Sequence, residues 1–125
     1  MSSLAFDPNN SNIAYATYST FGGEHVFKST NMGASWTPID GTGATGIPDI
    51  PVHSVVVDPN NSQRIYVGTD LGVFVTLNGG TTWAKEDAGF ANVVVEKLEL
   101  LDKDQNSLLF AFTHGRSAWR IGLDY

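Results

Sequence analysis

Asp70 directly follows Thr69 and His114 directly follows Thr113. Each threonine closes an apolar run, and Arg116 stands two positions beyond the histidine. A carboxylate, an imidazole and a guanidinium gathered around one mouth could grip a polar or sugar-like ligand through charge-assisted hydrogen bonds. The corresponding loop of the first third of the chain is Tyr18-Ser19-Thr20-Phe21-Gly22-Gly23-Glu24-His25, and Asp49 lies in the segment from Asp40 to Pro51. Asp70 with Asp49 or Glu24 has the makings of a glycosidase acid and base, which are two carboxyl groups flanking one bond. The ligand-binding candidates are therefore Asp70, His114, Arg116, Glu24 and Tyr18, and the catalytic candidates are Asp70 and Asp49. Plainer roles compete with these: Asp70 as the cap of the tight turn to Gly72, and Arg116 as partner of a carboxylate in a neighbouring repeat. His25 and His53 fall at strand edges and read as surface or turn residues.

Other chemistries are excluded more firmly. The chain has no cysteine, which removes disulfides, zinc thiolates and cysteine nucleophiles. No His-x-His or Glu-x-x-His spacing occurs, so no transition-metal site is expected. The Asp and Asn turns lack the ligand count of a dedicated calcium loop. Gly-x-Ser-x-Gly is absent, and Gly41-Thr42-Gly43-Ala44-Thr45-Gly46 follows no βαβ pattern and opens no helix, so it reads as a loop without a cofactor. A formal charge of −6, from 13 acidic and 7 basic side chains, argues against nucleic acid and anionic lipid as partners. No apolar run approaches the ~20 residues of a membrane span, and Met1-Ser2-Ser3 does not open a signal peptide.

The elements that position the candidates emerge from internal repeats. Asp7-Pro8-Asn9-Asn10-Ser11 recurs verbatim as Asp58-Pro59-Asn60-Asn61-Ser62, and a looser copy runs from Asp102 to Ser107. Apolar runs precede and follow each copy, and the closing threonine comes 10, 11 and 11 residues after the Asp. Pro, Asn, Asp and Ser between β-branched runs spell a hairpin. A second repeat pairs Ser29-Thr30-Asn31-Met32-Gly33-Ala34-Ser35-Trp36 with Thr76-Leu77-Asn78-Gly79-Gly80-Thr81-Thr82-Trp83, each preceded by Val-Phe. In such a turn a short polar side chain caps the amides, glycine takes a conformation that a Cβ forbids, and tryptophan folds back over the hairpin base. The expected fold is all-β: four-stranded antiparallel meanders over about 3–39 and 53–86, and a partial one over about 95–123 that lacks its outer strand. Trp119 takes the place of Phe27 and Phe74 as a third-strand core residue.

The second repeat resembles the Asp-box of sialidases and related β-propellers. The resemblance assigns turn roles to Ser29, Asn31, Gly33, Trp36, Thr76, Asn78, Gly80 and Trp83, with Asn standing where the family usually has Asp. Thr113-His114-Gly115-Arg116-Ser117-Ala118-Trp119 resembles the Thr-His-Gly-Arg-Gly-Ile-Trp close of the last blade in large secreted propellers of the xyloglucan-hydrolase-like and sortilin-like groups. The chain is thus similar to the C-terminal three blades of a larger ring, which implies a secreted or extracytoplasmic setting. Sialidase chemistry does not follow, because that family grips its substrate with three arginines. Here Arg64 opens a strand on the opposite face and Arg120 lies within a strand, which leaves Arg116 alone.

Three blades do not close a ring, since propellers use ~4–8. The leading expectation is a binding or scaffold module, completed by self-association as a dimer or by missing blades and recognising a glycan. The alternative is a fragment or subunit of a polysaccharide-active glycoside hydrolase. In propeller topology the Asp-Pro-Asn-Asn-Ser turns and the Asp-boxes share one face. The Tyr18–His25 loop, the Asp70-Leu71-Gly72 turn, His114 to Arg116 and the inter-blade segments share the other.

Overall fold

In the computed structural model the described residues form eleven strands and no α-helix. The structure describes residues 2–20, 22–41, 45–59, 61–85, 95–103, 106–113 and 118–123, with side-chain surroundings as far as residue 99, apart from 96. Strands β1 (Ser3–Asp7), β2 (Asn10–Thr17), β3 (Val26–Ser29) and β4 (Thr37–Pro38) form one antiparallel sheet in the order of the chain. Strands β5 (Val52–Asp58), β6 (Asn61–Thr69), β7 (Gly72–Thr76) and β8 (Ala84–Lys85) repeat that order in a second sheet. Strands β9 (Val95–Lys103), β10 (Asn106–Thr113) and β11 (Ala118–Leu123) make a three-stranded third. Three successive meanders of this kind make up part of a β-propeller.

The repeated turns form because their polar side chains satisfy the amides that the reversing chain leaves open. Asp7 Oδ1 accepts the Asn9 amide at 2.8 Å, and the ladder slips at Phe6/Asp7 and at Val57/Asp58, the same place in both sheets. Asp7 also accepts from Ser62 Oγ at 2.9 Å, and Asn9 Nδ2 donates to Pro59 O at 3.1 Å, so one hairpin is fastened to the next.

The longer turns match atom for atom. Ser29 Oγ accepts the Gly33 amide at 2.8 Å and donates to Asn31 Oδ1, while Asn31 Nδ2 donates to Ser35 Oγ. Thr76 Oγ1 accepts the Gly80 amide at 3.0 Å and donates to Asn78 Oδ1, while Asn78 Nδ2 donates to Thr82 Oγ1. Gly33 and Gly80 have φ of 90° and 102°, a region that side chains disfavour.

The core lies between the sheets. Val55, Val67 and Phe74 share one face of the second sheet by cross-strand register, as do Val57 and Ile65. They pack with Tyr15 and Val26 of the first sheet, and Ile39, Ile47 and Trp83 close the outer end. Burial, and secondarily the charge of Asp7, pushes the Tyr15 phenol up to about 12. The third sheet approaches so closely that a Cβ at Gly68 would stand 2.7 Å from Val95 Cγ1, and Ser54 Oγ accepts the Leu98 amide at 3.0 Å. Trp119 pairs with Ala111 as Phe27 pairs with Ala16 and Phe74 with Val67, although its side chain lies outside the described set.

The two turn tryptophans differ. Trp83 folds back as expected and is buried, donating from Nε1 to Ile39 O at 2.7 Å. Trp36 reaches only its own turn, donating to Gly33 O at 3.1 Å, and remains exposed. Cover for these rings comes from the adjoining sheet.

Candidate functional site

The segment 47–53 joins the first sheet to the second and gathers the candidate residues of both. Its start is held by Ile47 N donating to Asp40 O at 2.7 Å, and its end by Val52 N donating to Tyr18 O at 3.2 Å. Pro51 O accepts the Asp70 amide at 3.3 Å, so the turn after β6 is tied to the same segment. Two carboxylate–imidazole pairs result, one towards each sheet.

In the first pair His25 is buried between two aspartates. Asp40 Oδ2 accepts the His25 amide at 2.8 Å and lies 2.9 Å from His25 Nδ1, while Asp40 Oδ1 accepts the Val26 amide at 2.8 Å. His25 Nε2 stands 3.0 Å from Asp49 Oδ1, and that oxygen accepts the Gly22 amide at 2.7 Å. Asp49 itself is 60 % exposed. In the second pair His53 Nε2 and Asp70 Oδ1 are 2.6 Å apart, both half-buried.

These contacts correct two sequence expectations. His25 and His53 are not plain surface residues, because each imidazole is drawn onto a carboxylate that comes near it only in the folded chain. Asp70 does not cap its turn. Thr69 Oγ1 does so instead, accepting the Leu71 amide at 3.0 Å and donating to Gly72 O at 2.8 Å, which frees the Asp70 carboxylate for His53. Tyr18 packs its ring edge-on to Phe27 at 5.5 Å between centroids.

Two cavities flank the end of β4. One, of about 290 Å³, is lined by Gly23, Glu24, His25, Asp40, Gly41, Ile47 and Asp49. The other, of about 360 Å³, has Glu24 and Asp40 in its wall together with Ile39, Gly79, Gly80 and Thr81. Glu24 and Asp49 are thus brought to one cavity, whereas Asp70 lines neither. His114 and Arg116 lie outside the described residues. No group of three or more His, Asp or Glu side chains suited to a metal ion occurs among the described residues.

Asp40 was passed over in the sequence and His25 and His53 were set aside as surface or turn residues, yet signals for Asp40 and His25 are present. Asp40 and Asp87 each follow their turn tryptophan by four residues, a repeated carboxylate. His25 stands where the second repeat has Gly72, a departure from the pattern. Nothing local marks His53 as the partner of Asp70.

With strands, turns and site in place, the chain is a partial β-propeller in which His25, Asp40, Asp49, His53 and Asp70 gather about the segment joining the first two sheets. No protein-family profile matches the chain. It is 29 % identical over 119 residues to a xyloglucanase of Hypocrea jecorina (strain QM6a), a match covering 94 % of this chain and 13 % of that protein. Its fold is similar to that of a GH74 enzyme of Niastella koreensis, with a TM-score of 0.66 and 26 % identity over 88 % of this chain and 16 % of the other. It is also similar to the GH74 xyloglucanase of Xanthomonas campestris, with a TM-score of 0.69 and 19 % identity over 94 % of this chain and 20 % of that one. The chain therefore spans a minor part of the length of the relatives it matches.

Proposed function

We propose that the chain is a segment of a polysaccharide-active glycoside hydrolase, contributing one stretch of the glucan-facing rim of a GH74-type propeller. The observation carrying this is the 29 % identity to a xyloglucanase along 94 % of the chain, which favours this reading over a free-standing scaffold. The rim chemistry is compatible with it. Asp49, Asp70 and Glu24 offer carboxylate acceptors, and His53 an imidazole, to the hydroxyl groups of a neutral sugar chain. On this reading the turns at Ser29–Trp36 and Thr76–Trp83 are Asp-box turns with a purely structural task. Each caps its own amides on the face opposite the rim.

The test is affinity electrophoresis of the chain in gels containing soluble xyloglucan, with dextran as comparison. Retention by xyloglucan is expected, reduced ~10-fold by Asp70→Asn through loss of a charge-assisted hydrogen bond. A folded chain that xyloglucan does not retain overturns the reading. Release of reducing sugar that Asp70→Asn abolishes would place catalysis itself in this segment.

A second reading, a binding or scaffold module completed by a second copy of the chain, draws on one observation. Leu4 and Phe6 of β1 are exposed on a face whose counterpart in the second sheet is covered. Sedimentation velocity decides it, since a dimer that Phe6→Glu dissociates supports this reading and a monomer removes it.

A further inference from the structure

We propose that His53 is the positioning residue for Asp70, fixing one carboxylate oxygen so that the other is presented to a hydroxyl group of the glucan. This rests on the reading of the rim given above and deepens it by naming how one ligand-facing carboxylate is held.

The device starts in the backbone. Val52 pairs with Thr69 and Ser54 with Gly68, so His53 is the extra residue of a β-bulge in β5. A bulge re-aims the side chain it carries, out of the regular alternation of the strand. In the first sheet Ser3 pairs with Thr17 and Leu4 with Ala16, and no such shift occurs there. Both neighbours of His53 are anchored. Val52 O accepts Ser2 Oγ at 2.5 Å and the Val52 amide donates to Tyr18 O, while Ser54 Oγ accepts the Leu98 amide. The first and third sheets thus hold the bulge from either side.

The carboxylate is constrained as well. The Asp70 amide donates to Pro51 O, just before the bulge, and Thr69 Oγ1 accepts the Leu71 amide in the turn. A hydrogen bond of 2.6 Å between His53 Nε2 and Asp70 Oδ1 then fixes the side-chain torsion of Asp70. No described residue bonds Oδ2, and 32 % of the Asp70 side chain is exposed. A carboxylate already held by one oxygen loses little further freedom when the other accepts from a sugar hydroxyl, which favours binding.

Affinity electrophoresis of the full chain in xyloglucan gels tests this, with each variant checked for folding by its urea midpoint. His53→Ala should weaken retention ~5-fold, through the freedom returned to Asp70. His53→Gln, whose amide N–H reaches the position of Nε2, should hold retention within ~2-fold of the unsubstituted chain. His53→Asn, too short to reach Asp70, should behave as His53→Ala, and this pair serves if His53→Ala does not fold. In an Asp70→Ala background, His53→Ala should cost nothing further. Retention indifferent to His53 overturns the proposal, and so does equal retention of the Gln and Asn variants. An equal loss from His53→Ala in both backgrounds also overturns it, because His53 then acts without Asp70. A chain that xyloglucan does not retain at all removes the rim reading and this inference together, whereas retention that ignores His53 removes the inference alone.

Discussion

The first and second sheets carry the same strands in the same order and the same hydrogen-bonded turns, yet they differ in what covers them. Leu4 and Phe6 on β1 are 48 % and 56 % exposed, and Trp36 is 37 % exposed. Val55, Val57 and Trp83, at the matching positions, are 3 %, 6 % and 4 % exposed. The turn geometry does not account for this, because its hydrogen bonds agree within a few tenths of an ångström. The second sheet has the first lying on it, with β1 packed on β5 and the segment after β4 laid over Trp83. No described element lies on the first sheet in the same way. Local structure is thus written into each repeat, whereas burial, and most of the stabilisation that comes with it, is conferred by the neighbour.

The comparison can be broken most directly at the tryptophans. Trp83→Ala should cost ~3–5 kcal/mol, since it empties a buried site and leaves the Ile39 carbonyl without its donor. Trp36→Ala should cost about 1–2 kcal/mol, because much of that ring is already in water. Urea unfolding of the two variants measures the gap, and equal losses would refute the idea that cover, rather than the turn, sets the value of the ring.

The glycines sharpen the same point with a smaller effect. Alanine at either Gly33 or Gly80 must adopt a positive φ, at ~1–2 kcal/mol. At Gly80 the new Cβ would also stand 2.9 Å from Ile39 Cβ, whereas at Gly33 the nearest atom is Trp36 Cζ2 at 3.6 Å. Gly80→Ala should therefore lose ~1–3 kcal/mol more than Gly33→Ala in the same unfolding experiment.

The smallest effect is expected where the sheets are equal. Asn31 and Asn78 each donate from Nδ2 to a hydroxyl, Ser35 Oγ or Thr82 Oγ1, and a hydroxyl can rotate to donate instead. Asn31→Asp and Asn78→Asp should each change stability by no more than ~0.5 kcal/mol, and by the same amount. A large difference between them would show that the neighbouring sheet reaches into the turn after all.

The site divides along the same line. Glu24, Asp49 and Asp70 were legible as candidates, because a carboxylate in a loop between apolar runs announces itself. Their partners were not. His53 lies 17 residues before Asp70, and Asp40 lies 15 after His25, separations with no signature in helix or strand periodicity. The capping of the β6–β7 turn by Thr69, which frees Asp70 for His53, likewise depends on which of two adjacent side chains folds inward.

By itself the sequence determined the all-β class, the hairpins at Asp7 and Asp58 and the two polar turns with their glycines. These depend on contacts within about ten residues, where side-chain type and spacing settle the backbone. Only the tertiary structure decided which tryptophan is buried, that His25 sits between Asp40 and Asp49, and that Asp70 answers to His53. Each of these is a meeting of segments from different sheets or loops. The energy of such a meeting comes from excluding water between surfaces, and a linear repeat does not say which surfaces those are.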